Sequence, residues 1–339
     1  MKLSFKNILP ILLIFTLLIL FAGCSLTPST YTVTYNGNGN TSGVAPTDAN
    51  LYEQGALVTV LGKGSLVKTG YTFVGWNTAA NGSGTSQAAG STFDIGTANV
   101  TLYAKWTINT YIVDFDSQGG STVSSQTVEE SGLVTEPTAP TKEGYTFGGW
   151  YKESGCTNAW DFATDTVTAD ITLYAKWTPL YALRDTGPAG GLIFYVKEGG
   201  YSDGWMYLEA APSDQSTSTG APWGCKGTSI SGADGTAVGT GKQNTIDIEA
   251  GCTTPGTAAD ICANLSLGGY SDWFLPSKDE LNLMYENLKV ARVGGFADYF
   301  YWSSSEYTAD YAWSQYFPSG GRTNDYKDAL LRVRAARAF

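Results

Sequence analysis

Tyr31, Val33 and Tyr35 are aromatic or aliphatic, with Thr32 and Thr34 between them, and Leu102, Ala104 and Trp106 alternate in the same way around Tyr103 and Lys105. Period-two patterning with β-branched and aromatic residues predicts half-buried strands. Asn36-Gly37 is a turn signal after the first strand, and Gly119-Gly120 plays the same part further on. The pattern then recurs. Residues 31–39 (YTVTYNGNG) are echoed at 111–119 (YIVDFDSQG), 70–76 (GYTFVGW) at 144–150 (GYTFGGW), and 102–107 (LYAKWT) at 173–178 (LYAKWT). Three matched blocks in one order predict a duplicated module. Each copy is a small sheet with little core to spare. Trp76 and Trp106 in one copy, and Trp150 and Trp177 in the other, are its expected core.

The pattern changes after Pro179. Gly191–Val196 and Trp205–Glu209 are short apolar runs that read as a hairpin-like strand pair. Residues 213–245 are rich in Ser, Thr and Gly and read mostly as loop. A helix is expected over Thr257–Leu265. A stronger one follows Pro276, where Ser277 and Glu280 form a capping box. Leu281, Met284, Tyr285 and Leu288 then fall on one helical face until Gly294-Gly295 ends it. Strand-like pieces follow at 301–303, 312–317 and 331–335. In the last, Leu331, Val333 and Ala335 face one way and Arg332 and Arg334 the other.

At the other end, Lys2 and Lys6 precede an apolar run from Ile11 to Ala22, followed by Gly23 and Cys24. The run is too short for a comfortable membrane span and reads as a signal peptide. Phe21-Ala22-Gly23-Cys24 resembles the bacterial lipobox, with Phe21 where Leu is usual. That resemblance implies cleavage before Cys24, acylation of Cys24 and a stable membrane anchor. Ser25 in place of Asp favours the outer membrane or cell surface. The expected layout is a signal peptide over 1–23, a lipidated linker over 24–30, repeats over 31–108 and 109–179, and a final domain over 181–339.

Composition narrows the chemistry. The net charge is −11, and removal of residues 1–23 with Lys2 and Lys6 takes it to −13. An acidic chain is a poor binder of nucleic-acid backbones. Residues 235–242 (GTAVGTGK) fail as a phosphate loop, because Gln243 stands where a magnesium-binding hydroxyl is needed. The chain has no histidine, which excludes His-dependent triads and His-ligated metals. We therefore expect no enzyme. The alternatives are an envelope enzyme working through carboxylates or cysteines, and a structural envelope lipoprotein with no ligand. Calcium is compatible with the many carboxylates, yet no dense Asp loop fixes its ligands. An exported chain favours disulfides among Cys156, Cys225, Cys252 and Cys262, with one bond expected between two of the three in the last domain.

The duplicated blocks resemble the Listeria–Bacteroides, or internalin B-type, repeat. The resemblance implies two tandem β-grasp-like modules that serve as stalk or spacer on a surface protein. In the last domain, residues 187–194 (GPAGGLIF), 269–277 (GYSDWFLPS), 301–306 (YWSSSE) and 332–334 (RVR) resemble, in order, the C-terminal domain of the Legionella collagen-like adhesin. The WFLPS-x-x-E block is also similar to sulfatase-modifying, formylglycine-generating domains. Both resemblances imply a C-type-lectin-like fold, giving a mainly β chain with an α+β C-terminal domain. Ser303–Ser305 stand where a late cysteine pair would be, which counts against oxidase activity. The adhesin resemblance implies attachment to a surface or matrix polysaccharide, including sulfated ones.

Trp302, Ser303, Ser304, Glu306, Trp313 and Tyr316 are candidates for stacking on and hydrogen bonding to a sugar. Residues 318–339 hold five bases (Arg322, Lys327, Arg332, Arg334, Arg337) against Asp325 and Asp328. Arg322, Arg332 and Arg334 are thus candidates for sulfate or carboxylate. For each the bland alternative stands: the tryptophans are strand core, and Glu306 and the arginines form internal pairs.

Overall fold

The computed structural model describes residues 28–216 and 219–339. Cys24 and the signal-peptide reading lie outside the described residues. The described chain is mainly β, with two compact units. One runs to Ile112 and takes in Thr127–Leu133 and Thr166–Asp170; the other comprises Val113–Gln126, Val134–Asp165 and Ile171–Phe339.

In the first unit, Val33–Asn36 pairs in parallel with Val100–Ile108, which pairs antiparallel with Tyr71–Asn77. The alternation seen in sequence puts Val33, Leu102 and Ala104 in the core with Val58, Leu66 and Ile95. Trp76 fills its centre with no exposed surface. Its ring meets Tyr35 at 4.7 Å and Phe73 at 5.1 Å, both edge-on, and its Nε1 donates to the Leu61 carbonyl at 2.9 Å. Asn38, at φ 47°, and Gly39, at φ 83°, make the turn that Asn36-Gly37 signalled.

The second copy uses the same plan inside the second unit. Val113–Asp116 runs parallel to Ile171–Tyr174, and Tyr145–Tyr151 pairs antiparallel with the strand Ile171–Pro179. Phe115 meets Trp150 at 4.9 Å. Trp106 and Trp177 differ from expectation: both are half-buried. Their indole N–H groups donate to the carbonyls of Gly37 (3.0 Å) and Ser117 (2.8 Å), so each pins a turn as well as flanking a core.

The remainder of the second unit is α+β. Leu192–Val196 pairs with Tyr207–Ala210, the hairpin pair expected, and Ala336–Ala338 completes that sheet. Phe300–Glu306, Tyr311–Tyr316 and Gly321–Tyr326 form a second antiparallel sheet. Helices cover Ala258–Ala263 and Lys278–Met284, the latter continuing as a π-helical turn over Tyr285–Lys289. Both halves of the Ser277–Glu280 capping box are formed.

A third helix, Gly241–Gly251, begins inside the stretch read as loop. Its sequence carries no apolar stripe, so periodicity gave no signal. Burial of Asn244, Thr245 and Ile248 holds it instead. Cys225 and Cys252 form a disulfide, one of the pairings expected within this domain. It closes a loop with a sequence separation of 27, which on chain entropy stabilises by about 3–4 kcal/mol.

Gly144 fixes the passage from the second repeat into the last domain. Its carbonyl accepts from Leu180 N at 2.9 Å and from the Tyr207 hydroxyl at 2.6 Å. It sits at φ 78°, and a Cβ there would lie 2.7 Å from the Met206 sulfur. Glycine is therefore required on both conformational and steric grounds.

Trp76→Ala removes the largest core side chain of the first repeat. We expect a loss of about 3–5 kcal/mol, read as a separate low-denaturant transition of that repeat in urea unfolding followed by tryptophan fluorescence.

Candidate functional site

The sequence candidates do not converge on one surface. Trp302, Ser303 and Ser304 have no exposed surface. The Trp302 indole donates to the Ala221 carbonyl at 2.9 Å, Ser303 Oγ donates to the Trp313 carbonyl at 2.8 Å, and Ser304 Oγ accepts from Asn244 Nδ2 at 3.2 Å. They are satisfied core groups, and a sugar cannot reach them in this conformation. Glu306 is buried against the Lys327 ammonium and accepts from Ser229 Oγ and Ile230 N, both at 2.9 Å.

Arg334 is also interior. Its Nε and Nη2 donate to Asp214 Oδ1 at 2.9 and 2.7 Å, and Nη1 donates to the carbonyls of Ala211 (2.9 Å) and Gly294 (2.8 Å). Of the two alternatives, Arg334 takes the internal pair and is not a free anion-binding group. Arg334 is as buried as Val333 because loops at 211–214 and 294–295 close over it. Arg332 is half-buried, its guanidinium 6.0 Å from the Tyr299 ring centre.

Of the accessible candidates, Trp313 and Arg322 share one face of the Phe300–Tyr326 sheet. Alternate residues share a face, and the register places Tyr311 opposite Tyr326, Trp313 opposite Asn324, and Gln315 opposite Arg322. The Tyr311 and Tyr326 rings stack at 4.4 Å. Their mutual hydrogen bond, ahead of burial, raises the Tyr311 phenol above its ordinary pKa. Tyr307 meets Trp313 edge-on at 5.2 Å. Tyr307 and Tyr326 are 53% and 49% exposed.

Cations border these rings. Lys278 Nζ lies 4.3 Å from the Trp313 ring centre and Lys226 Nζ 4.2 Å from that of Tyr326. Arg322 reaches Asp279 at 3.1 Å, and Lys226 reaches Asp328 at 3.0 Å. Both pairs are exposed, so each holds little energy and the cations can exchange a carboxylate of the chain for an anion of a ligand. Tyr316, 37% exposed, belongs to the opposite face and stacks on Phe300 at 4.5 Å. Trp313 and Arg322 were legible as candidates. Tyr307, Tyr311, Tyr326, Lys226 and Lys278 were missed, although the spacing of Tyr311, Trp313 and Gln315 carried a period-two signal. Among the described residues, no group of three or more Cys, Asp or Glu side chains is gathered to hold a metal ion.

The capping box sets where Lys278 and Asp279 stand. Glu280 is buried, and its carboxylate accepts from Ser277 N and Gly239 N, both at 2.7 Å. Burial outweighs these bonds and pushes its pKa up to about 7.

Residues 31–105 and 111–176 match the Listeria-Bacteroides repeat domain, and residues 215–337 match the Lcl C-terminal domain. The chain carries two Listeria–Bacteroides repeats and an Lcl C-terminal domain. Over 148 residues, 43% of the chain, it is 50% identical to a protein of Evansella cellulosilytica named as a Gly-rich membrane protein. Over 166 residues, 47% of the chain, it is 37% identical to internalin H of Listeria monocytogenes. The matches span only 17% and 27% of those relatives. A fimbrial protein structure from Bacteroides ovatus aligns with a TM-score of 0.33 at 12% identity, covering 71% of this chain and 73% of that one. That score is too low to support any argument. The Trp313 face falls inside the Lcl C-terminal domain, and the repeats contribute nothing to it. No helix among the described residues is long and apolar enough to cross a membrane.

Between the ordinary value of 4.5 and about 7, the folded chain holds a proton on Glu280 that the unfolded chain releases. Stability from this group should therefore be highest below pH 4.5 and fall as pH rises through 7, by at most about 3 kcal/mol. Comparing melting temperature against pH for the wild type and Glu280→Gln tests this. The variant should show a flatter profile over that window.

Proposed function

We propose that this is an adhesin-like cell-surface protein whose Lcl C-terminal domain binds an acidic polysaccharide across the Trp313 face. The observation that carries the reading is the juxtaposition of Tyr307, Tyr311, Trp313 and Tyr326 with Lys226, Lys278 and Arg322. Rings supply stacking surface for pyranose faces. Lysine and arginine supply charge-assisted bonds to sulfate or carboxylate. The chain as a whole is acidic, so a local cluster of three cations on an aromatic face favours one class of ligand rather than general adhesion to polyanions. The two repeats serve as stalk, and Cys24 as lipid anchor at the cell envelope. The repeat and Lcl domains are of surface-protein type, which supports a binding role over a catalytic one.

The mature chain should bind sulfated or uronate-rich polysaccharides on a glycan array, and the signal should fall between low and moderate salt. Trp313→Ala or Lys278→Ala together with Arg322→Ala should weaken binding by about tenfold or more, as expected for loss of one stacking contact or two charge-assisted bonds. Melting temperature should stay near the wild-type value. Absence of binding to every acidic glycan, with and without calcium, would exclude the reading. Arg334→Ala is not a test of binding, because it strands Asp214 in the interior and should cost about 3–5 kcal/mol.

The anchor has its own test. Palmitate labelling in cells should be lost in Cys24→Ser, with the protein released to the soluble fraction. Labelling that persists would place the acyl chain elsewhere.

A further inference from the structure

A cavity of about 630 Å³ lies in the last domain, away from the Trp313 face, with Tyr285, Lys289, Val290, Arg292, Phe296 and Pro318 among its walls. Two features mark it as built for a ligand. Its helical wall is the π-helical turn Tyr285–Lys289, an uncommon geometry concentrated at functional sites. Arg292, immediately beyond, holds a left-handed backbone at φ 59°. That conformation is strained for a residue with a Cβ, and glycine would relieve it. The neighbouring Gly294 and Gly295 show the unstrained solution at φ 79° and 60°. At this position the chain presents an arginine side chain to the cavity instead of the bare backbone of a glycine.

The charges select the ligand. Lys289 Nζ is committed to Asp298 at 2.6 Å and to the Phe296 carbonyl at 2.9 Å. These bonds make it part of the wall. Arg292 is exposed and brings the charge that this pair does not cancel. Phe296 and Phe317 are buried and pack at 5.2 Å, and they back the half-buried Tyr285 ring, 5.7 Å from Phe317, at the cavity wall. A concave site of this size encloses a compact ligand. For a polysaccharide, that is a chain end rather than a run of internal residues.

We propose that this cavity binds the terminal carboxylated pyranose of a glycan, with the carboxylate on the Arg292 guanidinium and the ring against Tyr285. The site is separate from the Trp313 face, and its ligand class rests on the glycan-binding reading proposed above. Lys278 and Lys289 lie at opposite ends of one helical segment, about 16 Å apart at ordinary helical rise. One chain can thus present its end to the cavity and its body to the sheet.

The test is calorimetric titration of the full mature chain with 3′-sialyllactose and with a glucuronate-terminated trisaccharide, lactose being the neutral control. At least one acidic probe should bind where lactose does not, and the two arms distinguish sialate from uronate ends. Arg292→Gly should weaken that binding tenfold or more while the melting temperature holds or rises, since the backbone strain is removed. In the Trp313→Ala background, where the sheet face is impaired, the acidic probe should still bind, and adding Arg292→Gly should abolish that remaining binding. Equal behaviour of the acidic probes and lactose would overturn the proposal, as would wild-type affinity in Arg292→Gly. Loss of binding in Trp313→Ala with Arg292→Gly unaffected would move the ligand to the sheet face and overturn it equally.

Discussion

A guanidinium taken out of water must find acceptors for its N–H groups or it destabilises the fold, and Arg334 meets that demand with Asp214 and the carbonyls of Ala211 and Gly294. Those acceptors come from loops, not from strands or helices. The same arginine therefore gives the loops their positions. Asp214 is shared with the Tyr301 hydroxyl at 2.9 Å, and Tyr301 in turn accepts from Ala297 N at 2.7 Å. Burial first, and the Asp214 charge second, raise the Tyr301 phenol well above its ordinary pKa. It stays a neutral donor.

The pattern repeats across the last domain. Lys327 is enclosed with Glu306, donates to the Thr228 carbonyl at 2.8 Å and lies 4.5 Å from the Trp223 ring centre. Glu209 accepts from Gly191 N at 2.7 Å and from Ala189 N at 3.1 Å. Glu280 ties the segment at Gly239 to the helix at Ser277. A domain with short strands and long irregular connections cannot satisfy its backbone by ladders alone. Interior carboxylates and cations take over part of that work. This is why the basic C-terminal stretch, so conspicuous in sequence, is mostly structural: Lys327, Arg334 and Arg337 are buried, and only Arg322 is fully on the surface.

The repeats solve a different problem by simpler means. Each has a small sheet and one central tryptophan, Trp76 or Trp150, surrounded by edge-on rings. The second tryptophan of each copy sits at the margin and spends its N–H on a turn carbonyl. The central rings of each repeat are accounted for by packing. In the last domain, the helix starting at Lys278 and the sheet ending at Tyr326 bring lysines and rings from distant parts of the chain together.

Duplication, strand alternation, the Ser277–Glu280 cap and the resemblance of the domains were all readable from sequence, because each depends on residues a few positions apart. A period of two or of 3.6 is a local property, and so is a cap. The helix at Gly241–Gly251 was not readable, since its stability comes from what covers it. Nor was the fate of individual polar residues. Arg322, Arg332 and Arg334 look alike along the chain, yet one is exposed, one half-buried and one fully enclosed. The same holds for Trp302 and Trp313. Burial of a side chain is decided by segments far away in sequence, here the loops at 211–214 and 294–295, and only the tertiary structure brings those segments to bear. The sequence by itself determined the modules and the kind of chemistry available; the tertiary structure decided which side chains are free to perform it.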